Sequence, residues 1–203
     1  MPRGKSSRPM RGCGIIRALL FMVLCRTFSL RPPRKPQETF LDSTADLFDA
    51  NADTVSVCEL QFRSFGKKQR FFGPCVPLLV NEDHRPVLAM LSTPGEGRVL
   101  VVDAGGSLRV GVMGDRLAAI AVENNWAGVV VHGAIRDSTA IDALDIGVKS
   151  LGTTARRCQT ERGGPASAPV RFGGVEFSAG DWVYADVDAV LASPRQLAFG
   201  APV

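Results

Sequence analysis

Apolar residues along this chain gather into short continuous runs, and stripes at helical spacing lie between them. Residues 43–51 (STADLFDAN) predict a helix, with Ser43 or Thr44 as cap, Asp46 in the first turn and Leu47 and Phe48 on the apolar side. Residues 59–72 read as a basic loop. Residues 75–80 (CVPLLV) predict a strand, and residues 86–91 (PVLAML) fit either a strand or a short helix. The run at 98–103 (RVLVVD) has the unbroken apolar character of a strand covered on both faces, and Gly105-Gly106 breaks it. A further strand is expected at 108–112. A helix opens at Gly114-Asp115 and runs through Glu123, with Leu117, Ile120 and Ala121 on one side. Residues 128–133 (GVVVHG) predict another buried strand, 137–144 a short helix ended by Gly147, and 148–152 a returning strand. Strand and helix alternating in this way imply parallel pairing with right-handed crossovers, hence an α/β fold. Beyond a polar loop at 156–169, residues 170–177 read as a hairpin turned at Gly173-Gly174. Residues 182–191 read as a strand pair around 185–188.

Charge changes the picture at the amino end. Residues 1–37 hold nine Lys and Arg and no acid, which leaves 15 basic and 20 acidic groups, a net of −5, for residues 38–203. The chain therefore divides into a basic tail, 1–37, and one acidic domain, 38–203. The overall +4 belongs to the tail, and a broad nucleic-acid-binding face on the domain is not expected. Lys67, Lys68 and Arg70 are read as a solvated loop. Three readings of the tail stay open: an Arg-rich organellar transit peptide, a secretory signal, or an unstructured extension or misplaced start. Its apolar run, 18–25, falls short of the ~20 residues that span a bilayer. Five cysteines without C-x-x-C spacing suit reduced thiols and an intracellular protein, mitochondrial (or in another organelle) if the tail is a transit peptide and cytoplasmic otherwise. No membrane partner is expected.

Candidate chemistry concentrates at Asp115, Arg136 and Asp137, where helices are expected to follow strands, the place where open parallel sheets bind ligands. Amides of Gly114, Asp115, Arg116 and Leu117 at a helix start suit a carboxylate. Arginine pairs with carboxylates in two-pronged fashion, and aspartate oxygens suit Mg²⁺ or Mn²⁺. The competing reading makes Asp115 and Asp137 helix caps and Arg136 a surface residue. His132 is expected near these groups, packed or solvated. His84 and His132, the only histidines, are too far apart in sequence to suggest a ligand pair. Ser107, Ser138 and Ser178 lack a nucleophile elbow. Asp142, Asp145, Asp181, Asp186 and Asp188 are read as caps, turns and solvated acids.

The segments TADLFDAN, FGKKQRFFGP, GRVLVVDAGGS, NNWAGVVVHGAIRD, DIGVKSLG and RFGGVEFSAGDWVYAD, spread over residues 44–192, together resemble the RraA-like family. That family includes the ribonuclease E regulator RraA and the class II 4-hydroxy-4-methyl-2-oxoglutarate / 4-carboxy-4-hydroxy-2-oxoadipate aldolases. The resemblance implies a swivelling β/β/α domain that forms a homotrimer with its site near a subunit boundary. The aldolase branch carries an Asp, twenty intervening residues and an Arg-Asp pair, matched by Asp115 and Arg136-Asp137. By that match Asp137 holds a divalent metal (Mg²⁺ or Mn²⁺), Arg136 contacts the pyruvyl group of a small 2-oxo acid, and the backbone of residues 114–117 cradles it. Asp115 orients water for proton transfer. The implied reaction is carbon–carbon cleavage that leaves a pyruvate enolate, as in aldol cleavage or oxaloacetate decarboxylation. Ala140 stands where many aldolases carry an acid, and some use another from an extended carboxyl end. These departures keep a second implication open, a non-catalytic regulator that binds a ribonuclease or RNA helicase. A methyltransferase reading finds no glycine-rich motif here.

Overall fold

The β-branched runs in the middle of the chain lie side by side as parallel strands. The computed structural model describes residues 42–159 and 168–200, so the expectations for the basic tail fall outside the described residues. Helix α1 (Thr44–Asn51) is followed by β1 (Ser56–Val57), β2 (Arg63–Phe65) and the long β3 (Phe71–Leu79). Next come α2 (Arg85–Leu91), β4 (Val99–Asp103), β5 (Gly111–Met113), α3 (Asp115–Glu123) and β6 (Gly128–Ile135). The chain continues through α4 (Ser138–Ile141), β7 (Gly147–Thr153), β8 (Val170–Phe172), β9 (Val175–Phe177), β10 (Trp182–Ala185) and β11 (Val190–Ser193).

The main sheet runs β1-β11-β10-β3-β4-β6-β7-β2, with β5 beside the end of β6. Strands β3, β4, β6 and β7 are parallel, in a register that aligns Cys75, Val99, Gly128 and Gly147. Antiparallel strands flank them, β10, β11 and β1 on one side and β2 on the other. Side chains alternate across this sheet as a two-residue period requires. Leu100, Val102, Val129 and Val131 pack with Val87, Leu91, Leu117 and Ala121 of the helices. Val99, Val101 and Val130 face the opposite way and pack with Phe172 and Phe177 of the β8–β9 hairpin. The result is the layered hairpin, sheet and helix arrangement expected from the sequence.

Phe71 fixes the amino end of the parallel core. A Cβ on Gly128 or on Gly147, neighbours across β6 and β7, would run into its ring. At the far side, Ser43 and Asp46 form a reciprocal cap on α1. The buried Asp186 carboxylate then ties α1 to the β10–β11 turn. It accepts from Thr44 N and Oγ1, each at 2.8 Å, from Asp188 N at 2.9 Å and from Ala189 N at 3.2 Å.

Several boundaries differ from expectation. Residues 86–91 are helical, and Pro86 in the first turn of α2 suits that choice. The expected basic loop at 59–72 contains β2 and the start of β3. There Ser64 Oγ receives a 2.8 Å bond from the buried Nζ of Lys149 on β7. The strand expected at 108–112 is shifted to Gly111–Met113, leaving Leu108 half exposed. Helix α3, by contrast, covers Asp115–Glu123 as expected, and Asn125 then turns left-handed with φ 61°. The helix expected over 137–144 shrinks to the single turn of α4. Cys58 and Cys75 are buried free thiols, Cys158 is buried as well, and burial pushes the Cys75 thiol up to about 12. Among the described residues no helix is long and apolar enough to cross a membrane.

Candidate active site

Two carboxyl ends of the sheet converge on one cleft. Strand β5 ends at Met113 and delivers Gly114 and Asp115 to the start of α3; β6 ends at Ile135 and delivers Arg136 and Asp137. The two segments are bonded directly, since Arg136 N donates to Met113 O at 2.9 Å. The cleft has a volume of about 250 Å³, lined by Gly111, Met113 and the residues 114–117. Arg136, Asp137, His84, Leu88 and Arg157 complete the lining. That volume suits a small acid; drug-sized ligands occupy ~300–1,000 Å³.

Asp115 is the first residue of α3, and the N-cap is Gly114, whose lack of a side chain leaves the first amides of the helix uncapped. This corrects the cap reading of Asp115: its carboxylate is free of that duty and exposed at the cleft. Asp137 does occupy the N-cap position of α4, yet its side chain makes no cap bond. Its backbone is left-handed, φ 56° and ψ 37°, a conformation costly for a residue with a Cβ. Its carboxylate instead accepts from Arg136, Oδ2 from Nε at 2.9 Å and Oδ1 from Nη2 at 3.4 Å. Gly114 lies directly beneath the pair. Asp115, Arg136 and Asp137 also border a shallow open face completed by residues 138–140 and 153–155, where Ala140 supplies no acid.

Geometry thus brings Gly114, Asp115, Arg116, Leu117, Arg136 and Asp137 together, and it leaves His132 out. His132 Nδ1 lies 2.7 Å from Asp103 Oδ1, and the ring stacks on Phe172 at 4.6 Å, away from the cleft lining. Burial raises the Asp103 carboxyl, but the bonds from His132 and the Gly105 amide outweigh it and hold it below its ordinary value. His84, Leu88 and Arg157 were not singled out as site residues from the sequence. His84 precedes α2 within Glu82-Asp83-His84, a polar triplet that was a usable signal. Arg157 arrives through its bridge to Gly111, for which the sequence holds no sign. Glu82 anchors that triplet, buried and left-handed at φ 51°, accepting from Ser107 Oγ at 2.5 Å and from Arg109 Nη2 at 2.8 Å.

A family model described as RraA-like, Aldolase/RraA, matches residues 44–192. The chain belongs to the RraA-like family. Among RraA-like relatives, one from Laribacter hongkongensis, named a candidate 4-hydroxy-4-methyl-2-oxoglutarate aldolase, is 47% identical over 154 residues, 76% of this chain and 97% of the relative. One from Alkalilimnicola ehrlichii with the same name is 44% identical over 76% of this chain and 96% of its own length. The fold also matches two solved structures at TM-score 0.73. One, called an S-adenosylmethionine:2-dimethylmenaquinone methyltransferase, comes from Geobacillus kaustophilus (45% identity, 77% of this chain and 97% of that one). The other is the RNA-processing inhibitor RraA from Thermus thermophilis (37%, covering 77% and 95%).

Proposed function

We propose that this RraA-like protein is a divalent-metal-dependent carbon–carbon lyase on small 2-oxo acids, with 4-hydroxy-4-methyl-2-oxoglutarate and oxaloacetate as its test substrates. The observation that carries the reading is the meeting of Asp115, Arg136 and Asp137 in a cleft of small-acid size beside uncapped helix amides. Among the described residues no group of three or more His, Cys, Asp and Glu could hold a metal ion. The two carboxylates nevertheless fit Mg²⁺ or Mn²⁺, which take one or two protein carboxylates and complete their shell with water and substrate. Asp137 would hold the ion with Asp115 facing it, and its chemistry there is to polarise the 2-oxo group.

The chain's own groups supply the rest. The Arg136 guanidinium and the α3 amides orient the substrate's 1-carboxylate and 2-oxo oxygen, setting the bond to be broken. As that bond breaks, negative charge develops toward the 2-oxo oxygen, where Arg136 is already positioned to offset it. Asp115 orders a water that delivers a proton to C3 of the departing enolate. In a homotrimer, a neighbouring subunit could close the shallow open face bordered by Asp115 and Asp137.

A second reading is favoured by Ala140. Its small side chain leaves the open face short of a third acid, as suits a regulator that docks on a ribonuclease or RNA helicase. The Geobacillus structure's methyltransferase name finds little support in a cleft of about 250 Å³ lined by three arginines and two aspartates. Pyruvate release from both oxoacids, with and without EDTA, tests the lyase reading. Turnover that EDTA abolishes and Mg²⁺ or Mn²⁺ restores is expected. Absence of pyruvate under all conditions, with capture of a ribonuclease in its place, would overturn it.

A further inference from the structure

His84 is a cleft residue with no part in the reading above. It precedes α2, and its carbonyl accepts from Leu88 N at 2.9 Å, so its position is fixed by the first turn of that helix. His84 lines the same cleft as Asp115 and Asp137. Its Nδ1 is buried without a hydrogen-bond partner, 3.8 Å from Oδ1 of Asp83. Asp83 is itself buried, held by Arg85 N at 3.0 Å and by Arg85 Nη1 at 3.0 and 3.2 Å. A proton on Nδ1 faces that carboxylate; a lone pair there would face it unfavourably. The tautomer so selected carries its hydrogen on Nδ1 and leaves the Nε2 lone pair for the cleft. Burial holds the imidazole below its ordinary value. Asp83 opposes the effect, and Arg157, Arg85 and Arg136 reinforce it, which favours the neutral ring.

Building on the lyase reading, we propose that His84 is the base of aldol cleavage, accepting through Nε2 the proton of the hydroxyl on C4 of the substrate. The hydroxyl's electron pair becomes the new C4 carbonyl bond, and the C3–C4 bond breaks. Its electrons form the C2–C3 double bond of pyruvate enolate, with the former carbonyl pair on the 2-oxo oxygen. The proton on His84 passes to solvent while the water at Asp115 supplies one to C3, so protons balance and nothing is oxidised or reduced. Decarboxylation of oxaloacetate needs no such base, because the departing carboxylate supplies its own electrons.

The test is the ratio of 4-hydroxy-4-methyl-2-oxoglutarate cleavage to oxaloacetate decarboxylation, measured with Mg²⁺ in wild type and in His84→Asn. The ratio is expected to fall by ~10²-fold, as for loss of a general base. An unchanged ratio, whether both rates hold or both fall, overturns the assignment and leaves the lyase standing. A wild type inactive on both acids removes the lyase reading and this assignment with it. A second readout uses the metal-free protein with ¹⁵N-labelled histidine at pH 7, the His84 signals being those lost in His84→Asn. A neutral ring protonated at Nδ1 is expected; a charged ring, or one protonated at Nε2, overturns the proposal.

Discussion

Gly114 and Asp137 touch across the site. A Cβ on Gly114 would stand 3.0 Å from Asp137 Oδ2 and 3.1 Å from Arg136 Cγ. The glycine is required by its neighbours rather than by its own backbone, which is extended at φ −135°, ψ −175° and open to any residue. Gly114→Ala should therefore fold and melt close to wild type. Its arginine and aspartate would be displaced by a few tenths of an ångström. Pyruvate release should drop about tenfold, given that misplacement by ~1 Å costs ~10²-fold.

Asp137 separates stability from activity. Its left-handed backbone is tolerated because aspartate adopts it more readily than most residues, and glycine would adopt it without strain. Asp137→Gly is expected to melt no lower than wild type while losing ~10²–10³-fold in pyruvate release, the scale of removing one electrostatic partner. Arg136→Ala should lose activity to a similar degree. Paired melting curves and rate assays check this; a variant that unfolds and is inactive would instead make Asp137 a structural residue.

Acid should weaken the fold partly through Asp186. Burial raises its carboxyl, but the four hydrogen bonds from Thr44, Asp188 and Ala189 prevail and hold it below its ordinary value. A carboxyl depressed in the folded state contributes stability above its unfolded value of ~3.9, and that contribution is lost as pH falls through the lower folded value. Asp186→Asn should cost about 1–3 kcal/mol at pH 7. The gap to wild type should narrow below pH ~4, where the carboxylate of the unfolded wild-type chain begins to protonate while the folded one is still charged. Urea melts at a series of pH values measure both.

Gly128 and Phe71 should be coupled. A methyl at Gly128 meets the Phe71 ring, so Gly128→Ala is expected to cost about 1–3 kcal/mol by overpacking. With Phe71→Ala in place the same methyl has room, and the two losses should fail to add by ~1 kcal/mol or more. Additive losses in a double-mutant cycle of thermal melts would mean that the ring moves aside at little cost.

The parallel core was legible because its strands are buried on both faces, so RVLVVD and GVVVHG need no alternation to be read as strands. Helix α3 was legible from its stripe and from Gly114-Asp115 at its start. Short elements were not. Strand β2 is only three residues, held by pairing to β7 and by Lys149, contacts that the residues Arg63–Phe65 do not encode locally. At the site, the spacing of Asp115 and Arg136-Asp137 placed three charges where two crossovers begin. The part of the lining from His84 and Arg157 was hidden, since α2 and the segment after β7 reach the cleft only through tertiary packing. His132 was drawn to the site by nearness in sequence, but alternation on β6 turns it toward Phe172.

The bonds from Thr44 to Asp186 join positions 142 residues apart. On a ribosome helix α1 must therefore wait, without its anchoring carboxylate, until nearly the whole domain has been synthesised. The parallel core between can assemble in the meantime. Helix α1 thus gains its carboxylate anchor only late in synthesis, and the amino end of the domain stays unpinned while the sheet behind it forms.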